Sequence, residues 1–498
     1  MSKRTWILFG FIMLKFLLQH FLLSPEYDLQ RDEYLHLDQG QHLAFGYESV
    51  PPFTSWISWI IYQLGNSVFW VKFFPSLFGA LTIVVVWKTI EALNGNLFAL
   101  ILGATAATFS VLLRINILYQ PNSFDILSWT FLYYTVICYI KTGKNKWLYL
   151  AAIGFAIGFL NKYNIVFLLI GLAPAILLTE HRKMFLNKHL YLAALLALVI
   201  VSPNLLWQYQ NNFAVLRHMK VLAETQLVHV QRSDFLKEQI LFFFNSIYLL
   251  LIELIGFFIY PAFKKYRFLF WSLVFTLFVF TYLKAKGYYA IGLYPVLLAF
   301  GAVYLEFLTH NGWRTWFRPL SLLVTLALFI PAVNKIFPVQ PPAEMVKSGK
   351  LHRWEDGKDY PISQDFADML GWRELAAKTD SIYKTITDKE HTLVLCANYG
   401  EAGAVNFYSK ENIQAVSLNA DYINWFPSGK KILTIILVKD DENEGMDREQ
   451  SIFESVVLTG TVENKFSREK GTRIFLLSGP KMDINKVLKE EIRKEKGE

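Results

Sequence analysis

Eleven apolar runs, at about 6–23, 67–90, 97–113, 123–140, 147–161, 163–179, 189–207, 238–260, 267–283, 288–308 and 319–337, constrain this 498-residue chain more than any other feature. A helix needs roughly 20 such residues to cross a bilayer core, so the runs predict a polytopic α-helical membrane protein of about 11 spans. Composition agrees: 54% of residues are hydrophobic and 18% charged, where a soluble domain carries about a quarter charged. The net charge of +8 does not point to nucleic acid, because the basic residues sit in short loops between apolar runs. That is the positive-inside pattern of a chain whose partner is the lipid bilayer.

Charge then sets an expected topology. With Lys3 and Arg4 inside, the loops holding Lys141, Lys144 and Lys146, then Arg182, Lys183 and Lys188, then Lys264, Lys265 and Arg267, then Arg314 and Arg318 all fall inside. The first run reads as an uncleaved helix, and the unusual polar clusters fall outside. At Phe337-Pro338-Val339-Gln340-Pro341-Pro342 the character changes. The expectation is a transmembrane domain over 1–337 and an extracytoplasmic α/β domain over 338–498. Apolar runs at Thr392 to Cys396, Lys431 to Val438 and Thr472 to Leu477 read as strands. Asp365 to Asp380 reads as a helix, and the charged stretch from Lys486 onward as a fraying one.

The loop after the first span holds Arg31-Asp32-Glu33-Tyr34, then Gln41-His42-Leu43-Ala44-Phe45-Gly46-Tyr47, then Pro51-Pro52-Phe53. Short juxtamembrane helices are expected at Gln39 to Tyr47 and at Phe53 to Leu64. The second carries Trp56, Trp59 and Ile60 at helical spacing, an apolar stripe suited to a membrane surface. A carboxylate there can act as general base on an acceptor hydroxyl or amine, while its neighbour orients substrate or binds a divalent cation. The plain alternative is a pair of solvated loop charges.

Four further clusters lie on the same expected side. Arg114, Asn116, Tyr119-Gln120-Pro121-Asn122 and Asp125 either cap a helix or face a common cavity. Lys162 and Tyr163 interrupt nearly continuous apolar sequence, at a turn or as a phosphate ligand. The segment Trp207 to Glu238, with Arg217, His218, Lys220, His229 and Arg232, either meets headgroups or folds over a lipid phosphate. Lys284-Ala285-Lys286-Gly287-Tyr288-Tyr289 places two lysines against the positive-inside bias, which hints at a specific anion. Acids that activate an acceptor and cations that neutralise a leaving phosphate are what transfer from a polyprenyl-phosphate sugar requires. A transporter or flippase of a lipid-linked anion is the alternative, although transporters place such residues at mid-membrane on broken helices.

Taken in order, Arg31-Asp32-Glu33, Gln41-His42-Leu43-Ala44, Gly46-Tyr47, Pro51-Pro52, Gln120-Pro121-Asn122, Asn161-Lys162-Tyr163, Ser202-Pro203-Asn204 and Lys286-Gly287-Tyr288-Tyr289 resemble the bacterial branch of the GT-C glycosyltransferases. The chain is similar there to dolichyl-phosphate-mannose protein mannosyltransferases and to the lipid A aminoarabinose transferase. Tyr399-Gly400-Glu401-Ala402-Gly403-Ala404 in the tail also looks like a segment of such proteins. By itself that segment reads as a strand-to-helix turn, either ordinary or with amides that bind an anion.

The resemblance implies an inverting transferase in the bacterial inner membrane, with a polyprenyl-phosphate-linked sugar as donor and a protein, lipid A or another envelope glycan as acceptor. It implies Asp32 as catalytic base and Glu33 as its partner in acceptor or metal contacts, so that a divalent cation is possible and no cofactor is certain. Lys162, Arg217, His218, Lys286 and Tyr288 are the expected donor-phosphate residues. Arg31, His42, Arg114, Asn122, Asp125, Tyr163 and Tyr289 are expected along the acceptor or cavity. One departure stands out: many relatives read Thr-Pro-Asp where this chain has Gln120-Pro121-Asn122.

Overall fold

A computed structural model describes residues 2–225, 227–427, 429–439 and 445–496. The chain divides into two compact units. The first comprises Met1–Leu22, Ala44–Thr54 and Val71–Phe337, and the second Leu23–Leu43, Ser55–Trp70 and Pro338–Glu498.

Each of the eleven apolar runs contains a helix among the described residues, beginning with Lys3–Phe21. Val68–Ala92, Asn122–Thr142, Lys188–Gln210, Gly287–Leu308 and Gly312–Ile336 are long and apolar enough to cross a membrane. Ile165–Leu177 and Glu180–Leu186, bent by 112°, add a sixth candidate if the pair is one span. Leu97–Thr108, Lys146–Asn161, Ile247–Ile259 and Phe268–Tyr282 are shorter apolar helices. The run at 238–260 is not one helix. It breaks between Arg232–Leu241 and Ile247–Ile259, where the Asn245 side chain donates to the carbonyls of Phe109 and Thr325 instead of facing lipid.

Small residues let these helices approach closely, as is usual where lipid removes the hydrophobic drive between them. A Cβ on Gly171 would meet Thr276 and the Ser272 carbonyl, and one on Gly301 would meet the Leu249 carbonyl. The core between them is aromatic and aliphatic, with Trp87, Trp129 and Tyr133 fully buried.

In the second unit a five-stranded sheet runs in the order Ala415–Ser417, Thr392–Cys396, Thr434–Lys439, Arg473–Pro480, Phe453–Thr461. The first two pairings are parallel and the last two antiparallel. The expected helix over 365–380 is split into Gln364–Ala367 and Trp372–Thr385 by Gly371, whose φ of +86° few other residues would adopt. The closing helix is Ile484–Lys496.

The first loop folds differently from the sequence expectation at one point. Its first helix is Arg31–Gln39, not 39–47, and Phe53–Gln63 is the second. The start is fixed by a capping box: the Gln30 side chain accepts from the Asp32 amide at 2.9 Å, while Glu33 Oε2 accepts from the Gln30 amide at 2.6 Å. Gly40 follows the helix and lies against Ser58 and Trp59, leaving no room for a Cβ.

Candidate functional site

In the first unit, four of the singled-out motifs meet at one connection, Asn161 to Asn164, between the helices Lys146–Asn161 and Ile165–Leu177. Each of its side chains binds a different partner. Asn161 donates to the Pro121 carbonyl at 2.8 Å, and Lys162 Nζ donates to Asn122 Oδ1 at 2.7 Å. The Tyr163 hydroxyl donates to Asn204 Oδ1 at 3.0 Å and accepts from Gln208. Asn164 donates to Asp125 Oδ2 and to the Tyr289 carbonyl, both at 2.9 Å. Asn204 in turn donates to the Phe45 carbonyl at 2.7 Å, tying in the first loop.

Lys162 Nζ also lies 4.4 Å from the ring centre of Tyr289 and 5.2 Å from that of Tyr288. Burial pulls its ammonium down to about 8, with Asp125 opposing and Lys286 adding to the shift. Burial likewise lowers the His218 imidazole, opposed by Glu48 and reinforced by Lys286. Lys162, Lys286 and His218 therefore share one electrostatic neighbourhood, in which aromatic faces, amides and an imidazole driven towards its neutral form accompany two ammonium groups. A monoanionic or dianionic phosphate is the kind of group such a setting stabilises.

Other expected residues have structural duties. Asn122 does not cap its helix; its amide bridges Lys162 and Gln120. Asp125 is buried and accepts from Trp129 Nε1 and Asn164, so both oxygens hold the fold. Arg217 is exposed and donates to the carbonyls of Asn211 and Asn212, at the end of the helix Lys188–Gln210. Arg114 sits half-buried in the last turn of Val111–Ile115.

In the second unit, Asp32 is half-exposed in the first turn of Arg31–Gln39, whereas Glu33 is fully buried. Glu33 thus works as the capping-box acid. Among the described residues, no group of three or more His, Cys, Asp or Glu side chains is arranged to hold a metal ion. His42 stacks on Trp425 with ring centres 4.3 Å apart and a 10° tilt. Arg31 lies over the ring of Tyr399 at 4.7 Å.

Sequence reasoning singled out the segment Tyr399 to Ala404 without seeing its duty. The Tyr399 hydroxyl donates to Asp32 Oδ1 at 2.6 Å. The amides of Gly400 and Glu401 are taken by Asn398 Oδ1 in a second capping box, so this turn does not offer them to an anion. Gly400 and Gly403 leave room for Arg31 and Tyr34, where a Cβ would come within 2.6 Å of either side chain. The glycine spacing on a helix was the available signal, but its partner lay some 370 residues away. Further along the helix Arg31–Gln39, Asp38 accepts from Tyr422 at 2.6 Å and Asn406 at 2.7 Å, and Gln39 donates to Asp421 at 2.8 Å.

Comparison with known proteins follows the same lines. Residues 49–207 match the family model described as dolichyl-phosphate-mannose-protein mannosyltransferase. A lipid A galacturonosyltransferase of Rhizobium johnstonii, RgtD, is 26% identical over 230 residues, which are 45% of this chain and 47% of that protein. The match thus spans about half the length of this curated relative. ArnT from Cupriavidus metallidurans, solved with undecaprenyl phosphate bound, superposes with a TM-score of 0.61 at 11% identity, covering 95% of this chain and 98% of that one. An oligosaccharyltransferase of Archaeoglobus fulgidus, solved with a tethered acceptor peptide, gives a TM-score of 0.50 at 11% identity over 83% of this chain and 64% of that one. The fold is the GT-C fold of these membrane proteins, and the chain is a multi-pass membrane protein of that type.

Proposed function

We propose that this chain, a member of the GT-C glycosyltransferase superfamily, moves a sugar from a polyprenyl-phosphate donor to a cell-envelope acceptor on the outer side of the membrane. The observation that carries this reading is the Lys162 connection. There a half-buried ammonium, shared among Asn122, Tyr288 and Tyr289, stands in the same field as Lys286 and His218. Such a cluster suits the phosphate that departs as the glycosidic bond breaks, because its charge grows in the transition state. The undecaprenyl phosphate bound by the fold neighbour and the lipid A acceptor named for the sequence relative support the same donor and acceptor classes.

In this reading Asp32 is the general base. It accepts the proton of the acceptor hydroxyl or amine as that atom attacks the anomeric carbon. The bond to the phosphate oxygen breaks with its electron pair on the phosphate, and the single displacement inverts the anomeric centre. Lys162, Lys286, His218 and Tyr288 stabilise the leaving group, and Arg217 reaches the lipid carrier. Arg31, His42, Arg114 and Tyr163 are the residues this reading assigns to acceptor contacts. Lipid A, a protein and another envelope glycan remain the acceptor classes to compare.

The test is sugar transfer by the purified full chain with a panel of polyprenyl-phosphate sugars and these acceptors. Asp32→Asn is nearly isosteric, and loss of about a hundredfold or more is the expected effect of removing a general base. Full activity in that variant would move the base elsewhere. Tight lipid-phosphate binding with no transfer to any acceptor would favour the transporter instead.

A further inference from the structure

We propose that Tyr399 is a positioning residue for the Asp32 carboxylate, so that the residues after Phe337 complete the reacting group. The inference rests on the reading of Asp32 as the base. A phenol that donates to a carboxylate across 2.6 Å makes a short, charge-assisted hydrogen bond. That bond fixes the plane of the carboxylate, and with it the direction in which the other oxygen faces an acceptor.

The phenol is itself held on three sides. Tyr399 is the first residue of the helix Tyr399–Tyr408, whose start is locked by the reciprocal Asn398 and Glu401 capping box. The Arg31 guanidinium covers its ring at 4.7 Å. Gly400 lets Arg31 lie against the same helix start, and Gly403 seats Tyr34 two residues beyond Asp32. The whole segment Tyr399 to Gly403 is thus shaped to the first turn of Arg31–Gln39. An ordinary structural contact would be met by packing alone, whereas here the one polar atom of the side chain is spent on Asp32.

The charged and titratable groups that act on Asp32 include Arg31, Tyr399 and Asp368, the last paired with Arg468 at 3.2 Å. The hydrogen bond from Tyr399 holds the carboxylate in one orientation. Removing the phenol should therefore lower the rate by letting the carboxylate turn away from the acceptor.

The experiment compares wild type, Asp32→Asn and Tyr399→Phe in the same purified transfer assay, with thermal unfolding as a check on folding. Tyr399→Phe is expected to lose about tenfold in kcat, with donor KM nearly unchanged. Incorporation of 3-fluorotyrosine at 399 keeps both the ring and the donating hydroxyl, and should keep kcat close to wild type. Wild-type kcat in Tyr399→Phe, or an effect on donor KM and melting temperature alone, with Asp32→Asn inactive, would overturn the positioning role and leave the base in place. Full activity in Asp32→Asn would remove the base and this inference together.

Discussion

Lys162 Nζ donates to the side-chain oxygen of Asn122 at 2.7 Å, forty residues away. Asn122 is neutral, so the charge that opposes desolvation of this ammonium comes from Asp125, which does not bond to it directly. Burial sets its value at about 8. A donor-phosphate ligand with that value loses its charge as pH rises through about 8, and kcat/KM for the donor should fall on that side. Lys162→Arg stays charged and should keep a flat profile there. Lys162→Met should lose about a hundredfold at neutral pH, the usual cost of removing one preorganised stabilising group. Asn122→Asp, which adds a counter-ion, should move the basic limb upward. An alkaline limb that persists in Lys162→Arg would assign it to another group.

Asp38 supplies a second pH dependence, this time in stability. Burial pushes its carboxyl up to about 7, against hydrogen bonds from Tyr422 and Asn406 that favour the ion. The unfolded value is about 3.9, so between these limits the folded state holds a proton that the unfolded state has released. Stability from this group is therefore present in acid and lost as pH rises from about 4 to about 7. Both donors reach the same oxygen, Oδ2, so Asp38→Asn can keep both bonds while abolishing the ionisation. The variant should melt close to wild type at pH 5 and above it at pH 8. A difference in melting temperature that does not change with pH would refute the assignment.

The sequence made the membrane part legible because apolar run length reports directly on helices, and every run carries one. The motifs around Lys162 were legible as polar interruptions, although only the fold brings Gln120 to Asn122, Asn161 to Asn164, Asn204 and Tyr289 into one network. What composition hid was the helix Arg31–Gln39. Its face of Tyr34, Leu35 and Leu37 is buried, yet a polar run with Asp32, Glu33, His36 and Asp38 reads as solvated loop. The Gln30 to Glu33 capping spacing marks its start, and the expectation of a helix over 39–47 overlooked it. Likewise nothing local in Tyr399-Gly400-Glu401 announces Asp32, because the contact joins distant segments through a single phenol.

Gly403 tests the packing on that helix. Alanine at a helix interior would ordinarily gain about 1 kcal/mol over glycine. Here its Cβ would stand 2.6 Å from Tyr34 Cβ and 2.5 Å from the Tyr422 hydroxyl, both on fully buried side chains. Overpacking of this sort costs about 1–3 kcal/mol, so Gly403→Ala should be net destabilising. Gly400→Ala meets the flexible Cγ of Arg31 and should cost less. Thermal unfolding of the two variants side by side decides the order, and equal or reversed effects would contradict this packing.

Glu253 makes the opposite prediction, of a gain. It lies in the apolar helix Ile247–Ile259 with no exposure, and neither carboxyl oxygen has a hydrogen-bond partner among the described residues. An unsatisfied buried polar group costs roughly 1–3 kcal/mol, and leucine has nearly the volume of glutamate without the carboxyl. Glu253→Leu should therefore raise the stability of the purified protein by about that amount, and Glu253→Gln should give little, since an amide is equally unpaired there. Transfer activity measured on the same samples separates the two reasons for keeping an acid in such a place. A stabilised and fully active Glu253→Leu would mark the carboxyl as dispensable to the reaction. A stabilised but inactive one would mean that the acid is retained for function at a cost in stability, as ionisable groups within membrane helices often are.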